Sequence, residues 1–223
     1  MKKVNLIITI LFISHFLHGQ IIQFQAGPNL NNFFDYTKGD RTISSEYTLK
    51  WGYHVGIGIE QLKLGKFNFN LLLSYDQYHG DIFSSYSSLG SSSSTTANLK
   101  RQMISLATYP LNFHLKKKVK IQVGPEFSFI INNQLEGSRY FRSILPESST
   151  TELGDSEGLG NDIRFAINLG ISYDIPINEN ISILPKYNFN FGLTKEYETP
   201  QIEKISNMLH RFLIGISWKL NQN

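Results

Sequence analysis

Residues 163–175 alternate between two kinds of side chain without interruption. One set is apolar, namely Ile163, Phe165, Ile167, Leu169, Ile171, Tyr173 and Ile175, and the positions between them carry polar or small residues. Successive side chains of a strand point to opposite faces, so this segment predicts a strand with one apolar face. Strands of soluble proteins are commonly about five or six residues long, whereas a tilted strand needs about ten to cross a bilayer. The length therefore favours a strand that spans a membrane.

The same alternation recurs along the whole chain. Together the eight predicted strands cover about 21–33, 48–61, 66–78, 99–115, 119–132, 163–175, 181–195 and 208–220. The fourth changes phase between Leu106 and Leu111. Because proline in a strand is confined to bulges and edges, we expect a bulge near Tyr109-Pro110.

Short and long connections alternate between these strands. The short ones are 62–65, 116–118 and 176–180, and the long, polar ones are 34–47, 79–98, 133–162 and 196–207. Bacterial outer-membrane barrels have an even number of strands, short periplasmic turns and long external loops. The sequence therefore predicts an all-β fold, an eight-stranded antiparallel up-and-down transmembrane β-barrel with short periplasmic turns and long extracellular loops.

Two of the long connections have distinctive compositions. Ser84–Thr96, with its run Ser91–Ser94, predicts a flexible solvated loop, and a recognition or adhesive role is the alternative. The connection 133–162 is acidic and is expected to be a solvated loop, with attraction of cations or of a basic partner as the alternative.

The N-terminus predicts export. Lys2 and Lys3 precede an apolar run that ends near Leu17, and Gly19 supplies a small residue at a cleavage point. We expect residues 1–19 to be a signal peptide, residues 20–223 to be the barrel domain, and the protein to reside in the outer membrane. Removal of 1–19 takes away two lysines and no acid, leaving 19 basic and 18 acidic residues, so the charge offers no case for nucleic-acid binding. The chain has no cysteine, which excludes disulfides and thiolate metal sites.

Alternation alone does not say which face of the barrel is outside. A soluble lipocalin-like barrel would turn the apolar face inward. The polar face is rich in Gly, Ser, Asn and Gln, which suits the cramped interior of eight strands. Four aromatic residues near strand ends predict interfacial girdles, namely Trp51, Tyr53, Tyr173 and Trp218. Both features favour an apolar exterior in contact with outer-membrane lipid.

Charged residues of both signs fall on the face predicted to line the lumen. They are Glu60, Asp76, Lys120, Glu126, Arg164, Asp174, Lys186, Arg211 and Lys219. Isolated charges in a narrow interior are costly, so we expect them to pair, with Arg164, Lys186 and Arg211 neutralising Glu126 and Asp174. Such a network would plug the barrel, and a small-solute porin is the alternative.

No residue pattern predicts a catalytic, cofactor or metal site. The four histidines after residue 19 are His54, His79, His114 and His210, and no two have ligand spacing. His210 with Ser206 is the one candidate pair for a lipid-modifying hydrolase, which would need a nucleophile, a base and an orienting group in mutual reach. The main expectation is a non-enzymatic envelope protein, monomeric, that acts through its loops or as a scaffold.

Short motifs resemble a known family. Gly27-Pro28-Asn29-Leu30, Tyr109-Pro110-Leu111, the Lys-rich turn after it and Val123-Gly124-Pro125 are similar to the Bacteroidetes outer-membrane β-barrel family, which includes PorT-like proteins. Members more usually carry an aliphatic residue in place of Tyr109. Many end on an aromatic residue read by the barrel-assembly machinery, a signal that would rest here on Trp218 and Leu220. The resemblance implies an outer-membrane location and, for some members, service in a secretion system.

Overall fold

The computed structural model describes residues 21–35, 43–64, 67–115, 118–143, 148–153, 159–160, 162–199 and 204–220. The predicted signal peptide lies outside these ranges. They contain twelve strands: β1 (Ile21–Asp35), β2 (Ile43–Thr48), β3 (Lys50–Leu64), β4 (Phe67–Ser87), β5 (Ser91–Tyr109), β6 (Leu111–Leu115), β7 (Val119–Ser143), β8 (Ser148–Glu152), β9 (Ile163–Tyr173), β10 (Ile175–Pro176), β11 (Ile181–Gly192) and β12 (Ile205–Lys219).

Eight of these strands form a closed antiparallel ring. Its order is β1, β3, β4, β5, β7, β9, β11 and β12, and β12 pairs back with β1. β6 and β10 continue β5 and β9 after single-residue breaks, and β2 and β8 pair at the outer side with β4 and β7. The predicted eight-stranded up-and-down barrel is confirmed.

No helix among the described residues is long and apolar enough to cross a membrane.

The predicted bulge at Pro110 is confirmed by the strand register. Ala107 pairs with Glu126 and Leu111 pairs with Val123, so four steps along one strand face three along the other. Opposite the bulge lies Gly124, where a Cβ atom would stand 1.8 Å from the Thr108 carbonyl oxygen. Only a residue without a side chain fits that approach.

In the half of the barrel nearer the short turns, the apolar face points outward. Along β9 every odd position is exposed and every even position is buried. Most residues on the interior face of this half are polar. Apolar exceptions include Leu184, Leu213 and Leu72, and Leu72 lies against Ala107 and Tyr109. The polarity is therefore reversed relative to a soluble barrel.

Three strands run far beyond this half. β4, β5 and β7 have 21, 19 and 25 residues, against 11 in β9 and 12 in β11. Ser84–Thr96, predicted to be a flexible loop, instead forms the end of a β4–β5 hairpin in register from Asn70↔Tyr109 to Ser87↔Ser92. Much of 34–47 and 133–162 is likewise strand, as β2, the end of β7 and β8. We call this five-stranded projection, β2-β4-β5-β7-β8, the outer sheet.

The outer half of the barrel contains an apolar core. Its buried members are Phe33, Tyr78, Ile82, Ala97, Leu99, Met103, Ile130, Leu135, Leu153, Tyr197, Ile205 and Leu209. Tyr197 belongs to the predicted loop 196–207, yet it is fully buried and bridges to Leu159 and Ile205. The chain after β11 therefore folds into the mouth of the barrel.

Candidate functional site in the barrel interior

The centre of the interior is a cluster of four charged side chains from four strands. Asp76 of β4, Glu126 of β7, Arg164 of β9 and Arg211 of β12 are each at most 1% exposed. Arg211 lies between the two carboxylates: its Nη2 donates to Asp76 Oδ2 at 3.0 Å and its Nη1 donates to Glu126 Oε2 at 2.9 Å. Arg164 Nη1 donates to Glu126 Oε1 at 3.4 Å.

Neutral side chains complete the hydrogen bonding of these carboxylates. Asn168 and Asn190 donate to Glu126 at 2.6 Å and 2.9 Å. Asn29 Nδ2 and His54 Nδ1 lie 3.1 Å and 3.0 Å from Asp76 Oδ1. A buried ion pair is tolerable only when its remaining lone pairs are satisfied, and the asparagines on the lumen face meet that requirement.

A second cluster lies on the outer side of the first. Glu196 accepts hydrogen bonds from Arg101 Nη1 at 2.5 Å, Arg164 Nε at 2.9 Å and the Tyr78 hydroxyl at 2.8 Å. Since Arg164 also contacts Glu126, the two clusters are continuous.

Glu196 and Arg101 were absent from the predicted lumen set. The sequence could have identified Arg101 as an interior residue, because it shares strand parity with Ser105 on the polar face of β5. Glu196 carried none, because it follows β11 in a segment without alternation, and only the folding of that segment into the barrel brings it to Arg101.

Of the nine predicted lumen charges, the structure buries seven and leaves two near the periplasmic end. Lys120 Nζ donates to Glu60 Oε2 at 2.7 Å, a pair that the sequence did not specify. Asp174 is only half-buried and Lys219 is exposed, so the expectation that they belong to the interior network is wrong. Asp174 falls at the break between β9 and β10, and Lys219 is the last residue of β12, where the ring ends.

The predicted pairing was right for two cations and wrong for the third. Arg164 and Arg211 contact Glu126. Lys186 instead donates to the Gln25 side-chain oxygen at 3.1 Å and lies over the ring of Tyr109, 5.5 Å from its centre.

The four predicted girdle residues all lie on the outer surface, with Trp51, Tyr53, Tyr173 and Trp218 between 44% and 58% exposed. Along β1, the partners of Trp218 and Trp51 are Ile22 and Leu30. Eight residues of strand span roughly 26 Å, or roughly 20 Å along the barrel axis at the usual tilt, close to the ~25 Å apolar band of such barrels. This spacing and the apolar surface between the girdles match a bilayer. The chain is an outer-membrane β-barrel protein.

Hydrogen bonds tie the base of the outer sheet together. Partial burial raises the pKa of Asp81, but hydrogen bonds from Lys50 at 2.7 Å and Asn98 at 2.5 Å outweigh it and hold that pKa below its ordinary value. Tyr47 of β2 donates to Asp35 of β1 at 2.5 Å, and burial, with that bond, raises the pKa of its hydroxyl. The Tyr47–Asp35 bond ties β2 to β1, and the bonds to Asp81 tie β3 and β5 to β4.

The candidate hydrolase pair is not brought together. His210 faces outward with Nδ1 2.7 Å from the Tyr187 hydroxyl, whereas Ser206, four residues away on the same strand, donates to the Thr194 carbonyl at 2.8 Å. Within the described ranges, no group of three or more His, Asp or Glu side chains is arranged to hold a metal ion.

No family model and no curated protein matches the chain. Among solved structures it is similar to neisserial surface protein A (11% identity, 91% of this chain and 97% of that chain, TM-score 0.39). It is also similar to Ail, the attachment invasion locus protein of Yersinia pestis (10%, 91% and 99%, 0.37). A third is the outer membrane protein OprG of Pseudomonas aeruginosa (10%, 92% and 97%, 0.36). At TM-scores below 0.5, these similarities assign no activity, ligand or partner to this chain.

Proposed function

We propose that this protein is a non-enzymatic outer-membrane barrel with a closed interior, which acts by presenting its outer sheet to an extracellular or secretion-system partner. The observation that carries the closed interior is the unbroken chain of buried charges from Asp76 through Arg211, Glu126, Arg164 and Glu196 to Arg101.

This chain of contacts reaches across the barrel. Arg211 stands on β12, and its partners Asp76 and Glu126 stand on β4 and β7, each three strands away in opposite directions around the ring. Glu196 and Tyr197 close the outer side of the same space. An eight-stranded ring has room for little more than its own side chains, so a water-filled channel is not expected.

The outer sheet supports a binding role. Its strands are rich in hydroxyl side chains, above all Ser91–Thr96 of β5 and Ser148–Thr151 of β8. All five residues of β8 are exposed, and Leu89 at the tip of the β4–β5 hairpin is fully exposed. An ordered polar surface with an exposed leucine at its tip can contact a partner without first paying the entropy of ordering a loop.

Membership of the PorT-like branch of Bacteroidetes barrels is part of this proposal. Its support is that two of the motifs behind the resemblance meet in space, because Leu111 after Pro110 pairs with Val123 beside Gly124. Recognition of Trp218 by the assembly machinery during insertion is proposed with it. We further propose a monomer.

Planar-bilayer recording of the purified barrel tests the closed interior. Wild-type protein should insert without producing a stable conductance of nanosiemens size. A large, long-lived open state would show a small-solute porin and overturn the proposal.

Site-specific crosslinking in intact cells tests the outer sheet. A photo-reactive residue at Leu89 should capture a defined envelope or secretion protein, identified by mass spectrometry. The same residue at Glu179, exposed in the turn between β10 and β11 at the other end, is the matched control. Capture of the same proteins from both positions, or of none from Leu89, would contradict a binding role for the sheet.

A further inference from the structure

The buried charges of the interior do not balance. Among the described residues, nine Lys, Arg, Asp and Glu side chains are buried: Glu60, Asp76, Arg101, Lys120, Glu126, Arg164, Lys186, Glu196 and Arg211. Five are cationic and four are carboxylates, which leaves one positive charge in excess within this set. Asp174 is half-buried and outside the set, and its buried Oδ1 has no hydrogen-bond partner in the described part of the chain. Each of the other four cations contacts a carboxylate within 3.4 Å. The excess charge therefore lies at Lys186.

Among the described residues, Lys186 forms no direct ion pair with a carboxylate. Its Nζ donates to Gln25 Oε1, Gln25 Nε2 lies 2.8 Å from His54 Nε2, and His54 Nδ1 lies 3.0 Å from Asp76. The far end of the Gln25 amide therefore meets a histidine and not a carboxylate. A second cation, Lys120, lies close by. Lys186 on β11 and Lys120 on β7 both pair with Ser172 of β9, from opposite sides. The hydrogen-bonded partner of Glu60 is Lys120, at 2.7 Å.

Two neighbouring side chains of Lys186 have unused hydrogen-bonding groups. Asn188 is 0% exposed, and neither atom of its amide has a hydrogen-bond partner in the described part of the chain. The Tyr109 hydroxyl, 1% exposed, is also without a partner there, and its ring lies beneath Lys186 Nζ.

Gly170 leaves room for the side chains of Lys186 and Asn188 to lie side by side. A Cβ atom at Gly170 would stand 2.7 Å from Asn188 Oδ1 and 3.6 Å from Lys186 Cε, so both side chains lie over the glycine. Lys186 has three N–H donors and makes one side-chain hydrogen bond, the Tyr109 hydroxyl is a further donor, and the Asn188 amide carries both a donor nitrogen and, nearest Gly170, an acceptor oxygen. An uncompensated buried cation beside unused donors is costly, and an anion would offset that cost.

We propose that Lys186, Asn188 and Tyr109 hold a small inorganic anion of the size of chloride in the periplasmic half of the barrel. Lys186, Lys120, Ser172 and Glu60 are each between 5% and 7% exposed. That residual exposure contrasts with 0% at Asp76 and Arg211, and it indicates entry from the periplasmic mouth. The anion is a structural ligand of the closed barrel, and the inference does not depend on any role of the outer sheet.

Halide dependence of stability is the first test. The full barrel folded in detergent is melted in sodium chloride and in sodium gluconate at equal ionic strength. A ligand that binds only the folded state raises the melting temperature, so wild type should melt higher in chloride. Lys186→Met removes the excess charge and should abolish the difference, Asn188→Leu should reduce it, and Lys219→Met, a change of an exposed lysine at the same end, should keep it.

Crystals of the wild-type barrel grown in sodium bromide are the second test, which decides the matter if the variants fail to fold. The anomalous difference map should show bromide in contact with Lys186 Nζ. No bromide there, equal melting of wild type in both salts, or a chloride effect that survives in Lys186→Met would each overturn the proposal, and the lysine would then be held as the neutral amine.

Discussion

The two halves of the barrel use the same strands with opposite polarity. In the lower half of β5, Ile104 and Leu106 face outward and Ser105 is buried. In its upper half, Leu99 is buried and Asn98 and Lys100 point outward. Along β5 the strand parity does not change between the two halves. The solvent changes, from lipid to water, and with it the side that must be apolar.

β7 shows the same reversal of polarity, but here a bulge produces it, because the register shifts where Gln102 pairs with Asn132 and Met103 pairs with Ile130. Phe129 is 52% exposed and Ser128 is buried in the lower half, whereas Leu135 is buried between exposed Gln134 and Glu136 in the upper half. A lipid-embedded half needs a polar interior that satisfies its own charges, and a water-exposed half needs an apolar core. The level at which the pattern reverses marks the outer surface of the membrane.

The largest expected effect comes from the polar interior of the lower half. Arg211→Ala leaves two buried carboxylates without their shared cation, so the free energy of unfolding should fall by roughly 3–5 kcal/mol. Urea unfolding of the detergent-folded barrel measures it. Lys195→Ala, which removes a cation from the exposed pair with Glu198, should change little. Equal losses in both variants would show that the buried network is not what stabilises this half.

The apolar core of the upper half gives the next effect. Leu135→Ala, at a position 1% exposed, should lower the free energy of unfolding by about 2–5 kcal/mol through lost burial and a cavity. Leu106→Ala, on the lipid-facing surface of the lower half, should cost less in lipid vesicles because acyl chains fill the space. Were Leu106→Ala the more damaging change, the upper core would not be a folded core.

The outer surface sharpens the contrast further. Ile167→Arg should cost about 2–4 kcal/mol for folding into a bilayer, because it places a charge in the apolar band. Thr96→Arg, an outward change above the membrane, should be nearly neutral. Folding yield into lipid vesicles compares them. Efficient folding of Ile167→Arg in buffer without lipid or detergent would refute the membrane reading.

The smallest effect concerns the boundary itself. The folded state holds the pKa of Asp81 below its ordinary value of 3.8. A carboxyl with a lowered folded pKa contributes stability above its unfolded pKa and loses it as the pH falls through the folded value. The acid limb of the unfolding profile should therefore be slightly shallower in Asp81→Asn than in wild type. Glu198→Gln is the control. If the acid limb becomes equally shallow in Glu198→Gln, the change cannot be attributed to Asp81.

The two-residue alternation of apolar side chains and the composition of the polar face were sufficient to predict the lower half of the barrel. A two-residue alternation of about ten positions or more, repeated eight times with alternating connection lengths, has a single lipid-compatible solution, since every strand must find two partners. The bulge at Pro110 also followed, because proline lacks the donor that a central strand requires.

The predicted strand ends show where this reasoning stops. The sequence predicted ends near 78 and 132 and a start near 99, while β4, β5 and β7 continue through those positions. In β4 and β5 those positions lie where the apolar parity reverses, and in β7 a bulge near Ile130–Asn132 turns the odd positions from outward to inward. An alternation with apolar residues outward is expected only where the barrel faces lipid. It stops where the barrel faces water, although the hydrogen bonds between the strands continue.

Sequence by itself determined the lipid-facing surface, the polar lumen face and the closed ring, because these depend on side-chain parity within each strand. Only the tertiary structure decided which charges meet. Glu196 reaches Arg101 by a turn of the chain into the barrel, and Lys186 finds an amide instead of a carboxylate. Parity says which way a side chain points, whereas pairing depends on the height and tilt of strands on opposite sides of the ring, and no local pattern encodes those.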